Sequence, residues 1–321
     1  MLVRYIKQFD GFLLLLGPIS MFFVVLVRVS AGVNEVDLSQ QLTWLLDQNT
    51  TLVIPGWVDQ LAGFLVSLGF AVLINRRIQQ WSLQEKLNNM PFFVIIWVFT
   101  IIPGGHSSVL YWLSSVLYLA YLNQVFGLID GLRSVKSVFN ASLLTGVLTL
   151  INGNFIWLLP LLWWSAISNG ELTLRKWLLS LIGVALPHYF LLALGYLFFD
   201  RVLTPHLPVY TIMISWNSTG FWILSLYMVV AVVAAISIVR LQSGITLRLR
   251  KKLVFIYTCG MLTLLVAWLS GMDDSIYFFI VPATILLSRF LTEEKSKWLS
   301  ELTVLALILI PLFLLFTEQV N

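Results

Sequence analysis

Glu35 and Asp37 stand two residues apart in "NEVD", just past the first apolar run of the chain. Carboxylates so close together can divide acid and base roles or hold a divalent cation. Asp37 also has a local structural role open to it. With Gln40 three residues on, and Leu38, Leu42, Leu45 and Leu46 on one helical face, it has the spacing of an N-cap in a capping box. Glu35 has no such duty, which makes it the first candidate for a catalytic acid, with Asp37 second. Ordinary loop polarity is the alternative for both.

Arg28 and Arg201 are the next residues of interest. A guanidinium pairs in bidentate fashion with phosphate, so the two arginines are candidates to clamp a phosphorylated lipid headgroup. A salt bridge to a nearby acid such as Asp200 is the competing reading. His106 in "PGGHSS" and His206 in "TPHLP" lack metal-ligand spacing, and Cys259 is the one cysteine, inside an apolar run. No metal site is therefore assigned, although a divalent cation at the acids stays open. His188 follows Pro187 in "ALPHYF", in the middle of an apolar run; a neutral ring bonded to a carbonyl freed by the proline is expected there. Asp273 and Asp274 in "SGMDDS" read as a tight turn between two apolar segments.

The elements that must position these residues are membrane helices. The chain has 321 residues, 59% of them hydrophobic and 11% charged, too little charge for the surface of a soluble domain of that length. Continuous apolar runs near the roughly 20 residues that span a bilayer recur from end to end. Strand alternation is absent, so helices rather than a barrel are expected. Eleven segments are read, near 11–29, 58–75, 90–103, 107–129, 138–152, 154–169, 176–199, 219–239, 253–270, 275–290 and 299–316. Those at 90–103, 138–152 and 154–169 are short, which leaves nine to eleven crossings. The expected fold is all-α and polytopic, one integral membrane domain over 1–321. Its first outer loop, 30–57, carries an interfacial amphipathic helix with Trp44 and Trp57 as interface aromatics.

Charge orients the chain. With a cytoplasmic N-terminus and every segment crossing, seventeen of the nineteen Lys and Arg fall inside, and Arg28 and Arg201 alone fall outside. The modest positive net charge is then topology and not a sign of nucleic-acid binding. The densest basic run, "RLRKK" at 248–252, reads as an inner anchor beside anionic headgroups, with a cytoplasmic partner as the alternative. Walker, G-x-G-x-x-G, G-x-S-x-G and H-E-x-x-H motifs are absent, which disfavours an ATPase, a dehydrogenase, a hydrolase-fold lipase and a zincin.

The run "VFNASLLTGVLTLINGNFIWLLPLLWWSAISNGELTLRKWLLSLIGVALPHYFLLALGYLF" resembles two groups. One is a family of integral inner-membrane proteins from Bacteroidota, similar over most of the chain. The other is the GT-C class of multi-span glycosyltransferases, which use sugars carried on polyprenyl phosphate. Ser142, Gly146, the "NGN" break, Pro160 and Arg175-Lys176 fill that class's pattern of a small-residue span, a polar break, a proline-containing span and a basic inner loop. The resemblance implies a first outer loop bearing a catalytic acid, where Glu35 and then Asp37 stand, acting as general base or metal ligand. The acids here are spaced as "NEVD" instead of adjacent, and "INGN" carries no lysine.

The expectation is therefore a multi-pass protein of a bacterial inner membrane. Its lead function is GT-C-like glycosyl transfer at the outer face, with membrane lipids and polyprenyl phosphate as partners. A non-catalytic subunit of an envelope complex for secretion, gliding or lipid handling, with membrane or periplasmic protein partners, is the alternative. A transporter or flippase is the third.

Overall fold

The computed structural model describes residues 18–19, 21–26, 29, 35–37, 53–83, 89–101, 108–131, 134–199, 246–270, 272–293 and 301. About 90% of them are helical, as the continuous apolar runs require. In chain order the elements begin with strands β1 (Glu35–Asp37) and β2 (Val53–Pro55) and helices α1 (Gly56–Gln80), α2 (Met90–Ile101) and α3 (Ser108–Ile129). There follow α4 (Ser134–Ile151), a 3₁₀ turn (Gly153–Trp157), α5 (Leu158–Ser168), α6 (Leu174–Phe199), α7 (Leu247–Ser270) and α8 (Met272–Glu293). Gly56–Gln80, Val109–Ile129 and Leu174–Leu197 are long and apolar enough to cross a bilayer, and Val135–Ile151 and Ile280–Thr292 are shorter apolar helices. The chain is a helical membrane protein.

Within the described residues α2 has twelve residues and rises about 18 Å. The "INGN" break is a capped turn. Asn152 accepts from the Asn154 N–H at 2.9 Å, which starts the 3₁₀ turn that leads into α5. Just past α5, Gly170 has a φ of 67° that lets Glu171 N–H return to Ala166 O at 2.9 Å, closing the last turn of the helix. Asp273 and Asp274, read from sequence as a turn, are helical residues of α8.

Burial sorts the helices. Every residue of α8 from Ile280 to Leu291 is buried, the pattern of a helix packed on all sides. Phe278 of α8 meets Tyr118 of α3 and Phe155 of the 3₁₀ turn with ring centroids 5.5 and 5.2 Å apart. Cys259 is buried in this core. By contrast α6 leaves Ile182, Tyr189, Phe190, Leu194, Tyr196 and Leu197 exposed, an apolar face suited to lipid. Its other face packs on α4, the most extensive helix pair.

Ion pairs gather the basic helix ends together. Lys252 at the start of α7 pairs with Asp130 after α3 at 2.8 Å. Lys251 donates to Ser168 O and Asn169 Oδ1 at the end of α5, at 3.2 and 2.7 Å. Arg289, buried near the end of α8, donates to Leu83 O at 3.0 Å. Arg77 near the end of α1 reaches Asn123 of α3 at 3.2 Å, and Lys176 pairs with Glu171. Helices alternating in direction thus bring these charges to one end of the bundle, while the β1–β2 ribbon marks the start of α1 at the other.

Candidate functional site

The ribbon end holds the acids singled out by sequence. β1 and β2 pair antiparallel with the register Glu35↔Pro55, Val36↔Ile54 and Asp37↔Val53. Opposed residues in such a pair have Cα atoms about 4.5–5.5 Å apart. The backbone of Glu35 is therefore held against Pro55, one residue before α1 begins. Pro55 has no N–H to offer a ladder, so it fits where the strand ends and the helix starts.

Ile54 and Pro55 are strand, and Gly56 and Trp57 open α1. Trp57 is exposed, as an interface aromatic requires. Asp37 closes β1; the amphipathic helix it is expected to cap, with Trp44, lies outside the described residues, as do Arg28, Arg201, His106 and His206.

Directly behind the ribbon, the first turns of α1 bury two polar side chains. Asp59 is 2% exposed and Gln60 is fully buried. The carboxylate sits at the positive end of the helix, where it is favoured. Gln60 is different. Neither its amide oxygen nor its amide nitrogen has a hydrogen-bond partner among the described residues. A buried polar atom left unpaired costs about 1–3 kcal/mol, so packing alone does not explain a glutamine here.

Gln60 carried a readable signal. Gly56, Gln60, Gly63, Ser67, Phe70, Ile74 and Ile78 are buried at helical spacing along α1, so a polar residue falls on a stripe of small and apolar ones. A substitution tests whether it serves the site. Gln60→Leu removes both unpaired atoms at similar volume, and is expected to raise the unfolding temperature by a few degrees while lowering activity. Thermal unfolding of the purified protein, read beside the transfer assay below, checks both parts; a loss of stability would show that Gln60 is structural.

His188 is not bonded to a carbonyl released by Pro187, as expected from sequence. Its Nε2 lies 2.9 Å from Thr149 Oγ1 of α4. Thr149 itself donates to Gly146 O at 2.7 Å, which leaves its lone pairs for a His188 Nε2–H and leaves Nδ1 unpaired. The proline's role is in packing: Pro187 and Val184 of α6 crowd Gly146 of α4. This pair is remote in sequence from the ribbon. Among the described residues no three His, Cys, Asp or Glu come together as a metal site.

No protein-family model, curated protein or solved structure matches the chain.

Proposed function

We propose that the protein is a membrane-embedded glycosyl transfer module, acting at the ribbon end of the bundle on a sugar carried by a polyprenyl phosphate. Glu35 is its general base. The supporting observation is the pairing Glu35↔Pro55, which holds an acid without a local structural duty at the first turn of α1, beside buried Asp59 and Gln60. A catalytic group needs such a fixed backbone more than a loop acid does. In this reading the ribbon end faces outward from a bacterial inner membrane and the basic end faces the cytoplasm.

The chemistry requires little of the chain. The acceptor hydroxyl gives its proton to the Glu35 carboxylate as its oxygen bonds to the anomeric carbon. The bond from that carbon to the phosphate oxygen breaks, and the electron pair leaves with the polyprenyl phosphate. Arg28 and Arg201 are the residues proposed to hold that phosphate. The Gln60 amide has both a donor and an acceptor free for a sugar hydroxyl.

The test is transfer of label from a polyprenyl-phosphate-linked hexose by purified protein in vesicles, wild type against Glu35→Gln. Wild-type transfer with loss in the variant supports the reading. An envelope-complex subunit or a flippase requires no such base, so equal behaviour of the two proteins removes Glu35 from the chemistry.

A further inference from the structure

The end of the bundle opposite the ribbon carries a second arrangement of polar groups without an assigned role. A cleft of about 190 Å³ lies between α5 and α7. Trp164, Ser165 and Asn169 line one side, and Arg250, Lys251 and Phe255 the other.

Three observations bear on what fills it. The first is charge. α7 begins with Arg248, Arg250, Lys251 and Lys252, and has no acid in its first turn. A helix N-terminus is already positive, so cations there raise the local potential further. Asp130 is committed to Lys252, and Lys251 spends two of its three donors on Ser168 O and Asn169 Oδ1. The Arg250 guanidinium has no hydrogen bond or ion pair among the described residues, and it lines the cleft.

The second observation is Ser165. Helical serines usually return their hydroxyl to a carbonyl three or four residues back. Ser114, Ser115, Ser142, Ser168 and Ser288 all do so here. Ser165 is 3% exposed, lines the cleft, and its Oγ has no partner among the described residues. It is a buried donor facing a cationic opening.

The third is the lining itself. Ile129, Val254 and Phe255 give the cleft apolar walls, and Trp164 at its edge is 40% exposed. A free inorganic ion leaves those walls uncovered. A phosphate that carries an acyl tail covers them and meets Arg250 and Ser165 together.

We propose that this cleft binds the phosphate of an anionic phospholipid from the surrounding bilayer, with Arg250 and the Ser165 hydroxyl as its principal contacts. The site lies at the other end of the molecule from Glu35 and does not depend on the glycosyl transfer reading.

The experiment uses the full chain in neutral detergent. Native mass spectrometry and thermal unfolding follow titration with phosphatidylglycerol, phosphatidylcholine or inorganic phosphate. Phosphatidylglycerol is expected to bind and to raise the unfolding temperature, and the other two are not. Arg250→Ala is expected to weaken it about tenfold, and Ser165→Ala several-fold while keeping every charge. Arg248→Ala makes the same charge change on an exposed residue outside the cleft and is expected to bind as wild type. Equal loss in Arg248→Ala and Arg250→Ala would reduce the effect to surface charge and overturn the proposal. Undiminished binding in Ser165→Ala would do the same. Stabilisation by inorganic phosphate that matches the lipid would overturn the lipid as the occupant.

Discussion

Replacing Glu35 by glutamine is expected to lower transfer from a polyprenyl-phosphate-linked sugar by about 10²–10⁴-fold, with the amount of folded protein in the membrane unchanged. The size follows from the step removed. Glutamine keeps the shape of the side chain and loses only its ability to take a proton. A loss in that range corresponds to about 3–5 kcal/mol of transition-state stabilisation. Folding is expected to be indifferent, because the β1–β2 register is carried by main-chain bonds that a side-chain amide does not touch. Asp37→Asn supplies the contrast. Asparagine is as good an N-cap as aspartate, so a capping Asp37 predicts near wild-type transfer from that variant. If Asp37→Asn takes the larger loss, the catalytic role belongs to Asp37. If both variants transfer like wild type, the acids are loop polarity.

The helices of this protein were legible because lipid demands uninterrupted apolar runs. The segments read near 58–75, 107–129 and 176–199 are Gly56–Gln80, Ser108–Ile129 and Leu174–Phe199. The structure extends the first and third into polar residues, since backbone hydrogen bonding continues past the point where hydrophobicity ends. The break at "INGN" is a break because Asn152 caps a new turn. The total of eleven segments, and the side on which the chain begins, rest on residues beyond those described.

The ribbon was not legible. "EVD" and "VIP" are too short to show a period of two, and their pairing joins residues well separated in the chain. Nor do the sequence neighbours of Ser165 set it apart. Ser168 is three residues away on the same helix and donates to Trp164 O at 2.8 Å, while Ser165 Oγ has no partner among the described residues. Packing creates that difference, and packing is a property of several helices at once. The charge pattern came closer: "RLRKK" announces a basic helix start, and the structure adds which of its residues are already paired.

Gly146→Ala is expected to destabilise the protein by about 1–3 kcal/mol, although alanine is the better helix former. The added carbon would sit 2.6 Å from Val184 O and 3.0 Å from Cδ and Cγ of Pro187. Neither neighbour yields easily: one is main chain and the other a ring that fixes its own backbone. α4 and α6 must therefore move apart, and the 2.9 Å contact of Thr149 with His188 goes with them. Gly183→Ala presses on the same pair from the other helix, against Ser142 and the Leu143 main chain. Without water to drive helices together inside lipid, close approach at such small residues is the main source of their association. Gly69→Ala isolates that term. It adds the same carbon to a helix glycine of α1 with nothing within 4 Å, so propensity acts alone and stability holds or rises. In the same detergent the unfolding temperature should fall for Gly146→Ala and hold or rise for Gly69→Ala. If Gly146→Ala unfolds at the wild-type temperature, the α4–α6 contact is looser than these distances imply, and His188 then has another means of staying in place.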